Sequence, residues 1–379
     1  MTHTTDSALA VTGLSWTTAL GDQPERVWRR LLAGESGLAE VPCPYRLRSY
    51  LAAAVPEPGS HLPPSARLRL LGSRSARRAL ADAQISVSDP GLYMVFGTSF
   101  GAQLDDEASP DVSMHTWVEA IAADLGVANE PLSLSTACSS GTDAILVAAE
   151  LIRSGVADRC LCGAADVLTT SKRLGHSQLA TMSPTYLRAF DQRHDGTLLG
   201  EGAGCLVIES HAHAAERGAP IYALLRGTGS ANDASSLTAP DGSASGARLA
   251  LKRALLDAGV AARDVAVINA HGSGTPLNDR LERDALEAVF GGTGRPLVFA
   301  TKGAFGHTLG ATGAIEAIAV ILALRTGSTP PIVGLDHPDP DFRFPLSRST
   351  PAHFAGTIGL SLTLGFGGFD SCVVFEGRV

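Results

Sequence analysis

One cysteine and two histidines carry most of the chemistry that this chain spells out. Cys138 stands where a strand-like run stops and an apolar helix begins, inside Leu134-Ser135-Thr136-Ala137-Cys138-Ser139-Ser140-Gly141. A thiol at a helix N-terminus faces unpaired backbone N–H groups and the positive end of the helix dipole, and both favour the nucleophilic thiolate. His271 closes the apolar run Val265-Ala266-Val267-Ile268-Asn269-Ala270 and opens Gly272-Ser273-Gly274-Thr275-Pro276. His307 follows Leu297-Val298-Phe299-Ala300-Thr301-Lys302-Gly303-Ala304-Phe305-Gly306 and precedes Gly310, Gly313 and an Ala/Ile-rich helix. Both imidazoles therefore sit in glycine turns at the ends of buried strands. A lone cysteine is most often a small buried hydrophobe, and a loop histidine a satisfied polar residue. Two such histidines beside such a cysteine point instead to covalent catalysis.

The elements that must hold these groups alternate along the chain. Strand-like runs and helical runs follow one another at Leu9–Gly13, Glu25–Ala33, Ser73–Ala83, Leu92–Gly97, Cys138–Ser154, Arg159–Gly163 and Gly204–Glu209. The pattern restarts near Ile221 with Tyr222–Gly227, Gly246–Ala258, Val265–Ala270, Asp279–Phe290, Leu297–Ala300, Thr312–Arg325, Thr357–Leu362 and Ser371–Glu376. This is an α/β chain with helices layered on buried, mixed sheets. It divides into two pseudo-equivalent βα halves, residues 1–215 with the cysteine and residues 216–379 with both histidines, joined in one compact body. Ala144, Ile145, Val147, Ala148, Leu151 and Ile152 leave the cysteine helix little polar relief, so it belongs in the core and its nucleophile needs a tunnel.

Composition removes several alternatives. The 379 residues are 45% hydrophobic and 18% charged, which suits a large globular core. No apolar stretch runs about 18 residues without a charge, and Met1-Thr2-His3-Thr4-Thr5-Asp6 lacks a basic leader, so a cytoplasmic protein without a membrane anchor is expected. Cys160-Leu161-Cys162 has no matching pair among the six cysteines, so no metal site is expected. The formal charge of −8 and the lack of a basic run with interleaved aromatics argue against nucleic acid. One local exception is Arg67, Arg69, Arg74, Arg77 and Arg78, which form either a solvated helix face or a dock for an acidic partner.

Taken in order, several segments resemble the β-ketoacyl-(acyl carrier protein) synthase family, the condensing enzymes of fatty-acid and polyketide assembly. They are Val11-Thr12-Gly13 with Leu31–Gly37, the Thr136–Gly141 elbow, Phe190-Asp191 to Asp195-Gly196 with Gly200–Gly204, Asn269–Asp279, Thr301-Lys302 through Gly306–Gly310, and Gly365-Phe366-Gly367-Gly368. The resemblance spans the whole chain. It implies the thiolase-like layered αβαβα fold and a Cys-His-His mechanism in which Cys138 takes an acyl group from an acyl carrier protein. His271 and His307 then stabilise the enolate released when a malonyl thioester loses carbon dioxide. It further implies an oxyanion hole from the backbone N–H groups of Cys138 and Leu364. Lys302 and Glu316 would form a pair that holds His307 and sets its protonation, Asp279 and Glu282 would support the network, and Ser273 and Thr275 would bind the pantetheine arm. Thr197, Leu364 and Phe366 would gate the acyl pocket. No metal or soluble cofactor is implied, since the phosphopantetheine arrives on the carrier, and a homodimer or a heterodimer with a related chain is expected.

Three departures from the family pattern stand out. Thr197 and Leu364 occupy positions where phenylalanine commonly gates the pocket, Phe369-Asp370 replaces the usual Asn after the glycine loop, and the stretch Gly101–Pro131 is short. They lead to the expectation of an acyl group unlike a plain saturated chain. Three rival readings remain: acyl transfer to an amine or alcohol, a partner subunit that shapes another synthase's tunnel, and a hydrolase built on Gly97-Thr98-Ser99-Phe100-Gly101. That last segment fits G-x-S-x-G but is followed by Ala102-Gln103-Leu104-Asp105-Asp106-Glu107 rather than an apolar helix.

Overall fold

A computed structural model describes residues 8–56, 59, 61–105, 113–292 and 294–377. The expectation from the first six residues, and the part of the Gly101–Pro131 reading that falls on 106–112, lie outside the described residues.

Ten strands form the main sheet: β1 Leu9–Thr17, β2 Leu92–Gly97, β3 Leu132–Leu134, β4 Arg159–Asp166, β5 Gly202–Ser210, β6 Ala223–Asn232, β7 Val265–Asn269, β8 Leu297–Phe299, β9 Ile358–Leu364 and β10 Phe369–Gly377. Their spatial order is β8-β7-β9-β10-β6-β1-β5-β4-β2-β3. Counted within its own half, each set of five runs third, second, fourth, fifth, first, so the topology repeats although the sequence does not. In each half the outer strands pair in parallel and the inner ones antiparallel. The two halves are not separate sheets. They are one, joined where Leu9, Ala10 and Val11 of β1 pair antiparallel with Leu225, Leu224 and Ala223 of β6.

Alternation along β5 shows how the layers arise. Gly204 faces the helix Thr312–Thr326, where an added Cβ would meet the Ala314 backbone, whereas Cys205 and Val207 join Ala76, Ala79 and Leu80 of the helix Pro64–Ala83 on the other face. On the other half, Gly227 and Gly229 lie against the helix Ser245–Ala258. The helices Ser140–Arg153 and Thr312–Thr326 cross in the middle, so the section reads helix, sheet, helix pair, sheet, helix. Thr312 through Ala323 is buried on every side, which explains its lack of an amphipathic stripe. The window Leu309–Thr326 is long and apolar enough to cross a membrane by length and composition, but 83% of it is buried inside the protein.

Several helices differ from the expectation, three of them long. The helix read from Ser73 begins at Pro64, where proline is favoured in a first turn and Arg67 and Arg69 hide the apolar spacing. Thr116–Leu125 is a helix burying Val118, Ile121, Ala122 and Leu125. Thr170–Gln178 has no apolar stripe at all, and it buries Lys172 and Arg173 instead.

The two central helices touch at glycine. A Cβ on Gly141 would stand 2.7 Å from the Ala314 backbone nitrogen, and one on Gly313 would collide with Thr142. Gly141→Val is therefore expected to cost about 3 kcal/mol by overpacking, read as a lowered midpoint in denaturant unfolding; a midpoint equal to the wild type's would contradict this contact.

Candidate active site

The cysteine elbow is a short 3-10 turn, Ala137–Ser139, running directly into the helix Ser140–Arg153. Ala137 has φ +52°, a left-handed backbone that an L-residue adopts only when its surroundings enforce it. The enforcing contacts are side chains. Asp143 accepts from Thr136 Oγ1 at 2.6 Å and from Ser139 Oγ at 2.8 Å, while Ser140 Oγ accepts the Thr136 N–H at 2.9 Å and donates to the Thr98 carbonyl at 3.0 Å.

The second half repeats this device. The 3-10 turn Leu309–Ala311 runs into the helix Thr312–Thr326, and Leu309 has φ +52° like Ala137. The topological equivalent of Cys138 is thus Gly310, and His307 lies three residues before it. The Leu309 N–H donates to His307 Nδ1 at 3.1 Å, and Thr312 Oγ1 lies 3.1 Å from the same nitrogen. A backbone N–H can only donate, so in the neutral ring Nδ1 is bare and the proton is on Nε2. Burial, with the Lys302 charge second, holds the pKa of His307 well below the ordinary range. His307 is a neutral ring with a single fixed donor.

His271 lies beside it, the two rings 5.2 Å apart between centroids and nearly perpendicular at 81°. It too is kept neutral, by burial first and then by the Lys302 charge. Its main chain is held from both sides: Glu282 accepts the N–H groups of His271 and Gly272, and Lys302 Nζ donates to the His271 carbonyl. Lys302 is also 2.7 Å from Glu316 Oε1. Lys302, braced by Glu316, grips the His271 carbonyl rather than His307, and it bears on the protonation of His307 through its charge alone. Burial pushes Glu282 up to about 8 against its two backbone donors and raises Glu316 against Lys302. Asp279 touches neither His271 nor His307. It accepts the Phe190 N–H at 2.8 Å, the Gly274 N–H at 3.1 Å and shares a 2.9 Å contact with His194 Nδ1, so it ties the Phe190–Gly196 stretch to the His271 loop.

Cys138, His271 and His307 line one cavity of about 440 Å3. Ser273 and Thr275 line it as well, their hydroxyls 3.0 Å apart, as do Thr197, Leu364 and Phe366. Thr197 is buried, with no hydrogen-bond partner for its hydroxyl among the described residues. Leu364 was expected to supply a backbone donor to the oxyanion hole. It is instead the last residue of β9, in register with Asp370, and the N–H that reaches the Cys138 sulfur belongs to Phe366, together with the N–H of Cys138 itself. Sequence reading placed this donor two residues early, because the turn Gly365–Gly368, with φ +78° at Gly367, carries the main chain back over the thiol only after the strand has ended. The Phe366 ring stacks on His176 at 5.5 Å and 18°.

Cys138 itself does not behave as its helix position suggests. Burial pushes its thiol up to about 11, with the Phe366 N–H and Lys302 opposing and the Asp166 carboxylate adding to the rise. A helix N-terminus is worth about 1 kcal/mol, whereas leaving a thiolate in a dry site costs several, so the resting group is a thiol.

Two further readings are settled by contacts. Ser99 of the G-x-S-x-G segment is buried, donates its hydroxyl to Asp166 at 2.5 Å and opens into turns, so no nucleophile elbow exists there. Of the arginine cluster, Arg67 is buried on Glu201, Arg69 and Arg77 hold Asp124, and Arg74 and Arg78 hold Asp22. The cluster stitches its own helix down, and each of its charges is already engaged. Asp166 and His176 were missed as neighbours of the site. A carboxylate closing the buried run Cys160–Ala165 was the signal for Asp166, whereas nothing in the polar segment around His176 marks it.

Comparison with known proteins agrees along the whole chain. Residues 6–214 match the family model "Beta-ketoacyl synthase, N-terminal domain", and residues 222–336 match "Beta-ketoacyl synthase, C-terminal domain". A 3-oxoacyl-[acyl-carrier-protein] synthase 2 of Coxiella burnetii is 30% identical over 97% of this chain and 98% of its own. Among solved structures, the ishigamide ketosynthase/chain length factor superposes with a TM-score of 0.88 at 28% identity over 98% of this chain and 99% of its own. A type II ketosynthase complexed with its acyl-carrier protein and bound to a hexaketide gives 0.88 at 26% identity, with the same coverage.

The raised thiol pKa makes alkylation of Cys138 by iodoacetamide climb about tenfold per pH unit until pH passes the pKa, so the rate should still be rising at about pH 9. Intact-mass time courses check this, and a plateau reached below about pH 8 would contradict the burial argument.

Proposed function

The chain belongs to the β-ketoacyl synthase family, and on that premise we propose that it joins a Cys138-bound acyl group to the two-carbon unit of a malonyl-acyl carrier protein, with loss of carbon dioxide. The observation that carries this reading is the shared cavity: one buried thiol, two imidazoles held neutral and two backbone N–H groups at the sulfur.

Each group suits one step. Cys138 attacks the thioester carbonyl of the acyl carrier, and the oxyanion that forms is met by the N–H groups of Cys138 and Phe366. His271 has no main-chain contact fixing its tautomer, its Nδ1 being unpartnered among the described residues, so its ring can take the Cys138 thiol proton and pass it to the departing carrier thiolate, returning to the neutral form. In the second half-reaction the malonyl carboxylate departs as carbon dioxide and its bonding pair becomes the enolate. Neutral imidazoles each offer one N–H to that enolate oxygen, and for His307 this is the Nε2–H already fixed by Leu309. The carbanion attacks acyl-Cys138, the same two N–H groups stabilise the second tetrahedral oxyanion, and collapse expels the cysteine thiolate, which takes up a proton from solvent to restore the resting thiol. The sequence of steps draws on no metal or soluble cofactor, and the phosphopantetheine comes with the carrier, past Ser273 and Thr275.

The same reading supplies partners and setting. An acyl carrier protein delivers both substrates, and a second chain, identical or related, completes a dimer, in keeping with a relative solved with its carrier protein and another solved as a ketosynthase/chain length factor. A cytoplasmic place in polyketide or specialised fatty-acid assembly fits the curated relatives. Thr197, a hydroxyl side chain where phenylalanine commonly gates the pocket, supports an acyl group other than a plain saturated chain.

Intact-mass analysis with a panel of acyl carriers and malonyl carrier tests the proposal. A mass gain on Cys138 and carbon dioxide release are expected from the wild type, with the adduct absent from Cys138→Ala. Acyl transfer without carbon dioxide release would favour an amine or alcohol acceptor, and a clear preference for saturated medium chains would refute the pocket reading.

A further inference from the structure

Asp166 ends β4 fully buried, and no step above employs it. Its Oδ2 accepts three donors: the Ser99 N–H at 2.9 Å, the Ser99 hydroxyl at 2.5 Å and the Gly310 N–H at 2.9 Å. Its Oδ1 accepts the Val167 N–H at 3.0 Å and pairs with the buried Lys172 ammonium, which is also fixed by the carbonyls of Gly101 at 2.6 Å and Val167 at 3.2 Å. One carboxylate thus spans both halves. Through Ser99, whose carbonyl accepts from Ser135 Oγ, it steadies the approach to the cysteine elbow, and through Gly310 it holds the matching turn of the second half.

The second contact has a chemical consequence. Leu309 stands at φ +52°, where an L-residue costs about 1 kcal/mol, and its N–H, in the peptide plane just before that kink, reaches His307 Nδ1. The N–H of the very next residue is the one that Asp166 accepts. Gly310 can serve because it lacks a Cβ, which would collide with the Thr98–Ser99 backbone. We infer that Asp166 is a positioning residue for His307: by accepting the Gly310 N–H it anchors the Thr308–Gly310 turn, so that the Leu309 N–H stays on Nδ1 and keeps His307 in its Nε2–H form, ready to donate to the enolate oxygen. The inference rests on the condensing-enzyme reading for its role in the reaction, but its structural content, the tautomer of His307, does not.

A test follows from that distinction. Ring 15N shifts of His307, assigned against His307→Asn, report the tautomer whatever the activity, and Nε2–H is expected in the wild type. A wild-type ring protonated on Nδ1 would overturn the inference outright. Asp166→Asn is isosteric but offers one acceptor oxygen where two served, and Asp166→Ala offers none. In both, His307 should gain Nδ1–H, and carbon dioxide release from malonyl carrier should fall at least about tenfold while acyl loading of Cys138 falls less than about threefold. Removing the charge should also move the Cys138 alkylation profile to lower pH, a shift that a purely structural role would not produce. An unchanged His307 tautomer in the folded variants, or an equal loss in both half-reactions, would contradict the assignment.

Discussion

Two glycines, Gly141 and Gly313, let the starts of two central helices meet backbone against backbone, and the geometry of the site descends from that contact. Each helix is entered through a 3-10 turn with one left-handed residue, Ala137 in the first half and Leu309 in the second. Because the helices cross where they begin, the two turns face each other, and the sulfur of one half and the imidazole of the other share a cavity. His271 arrives by another route, at the end of β7, and needs its own clamp of Glu282 and Lys302 on the main chain to stay in place. A duplicated fold thereby yields an asymmetric site: cysteine at the first turn, glycine at its counterpart in the second.

Burial governs the electrostatics that result. The same desolvation that lifts the thiol to about 11 keeps both imidazoles neutral, and the Lys302 charge reinforces the second effect while opposing the first. A charged imidazole would have to find a counterion in this cavity, where a neutral one needs only a partner for each nitrogen. For His307 that requirement is met on one side by the Leu309 N–H, leaving the other nitrogen as a donor toward substrate. Donors fixed before the reaction begins do not have to reorganise as charge builds on the enolate oxygen.

Much of the fold was legible because buried strands leave short apolar runs bounded by glycine, and nine of the ten strands coincide with or lie within a residue or a few of such runs. β3, three residues long, was legible only as the strand-like end of the run before Cys138. The helix Thr170–Gln178 was invisible because its buried residues are Lys172 and Arg173, whose burial depends on carbonyls far from them in sequence, those of Gly101 and Val41 among them. The site was legible in the same measure. Cys138, His271 and His307 announce themselves through strand-end glycine turns, but which main-chain N–H reaches a sulfur depends on how the Gly365–Gly368 turn folds back, and so Phe366 was mistaken for Leu364. The partner of Lys302 was likewise readable as Glu316, whereas its grip on the His271 carbonyl was not, since a carbonyl has no signature in sequence.

The most direct measurement is a crystal structure of the Cys138 acyl-enzyme. The acyl carbonyl oxygen should lie about 2.7–3.1 Å from the N–H nitrogens of Cys138 and Phe366, with His271 and His307 turned to the open space beside the thioester where a malonyl carbonyl would sit. An acyl oxygen bound by the Leu364 N–H, or imidazoles facing away from the thioester, would contradict the account.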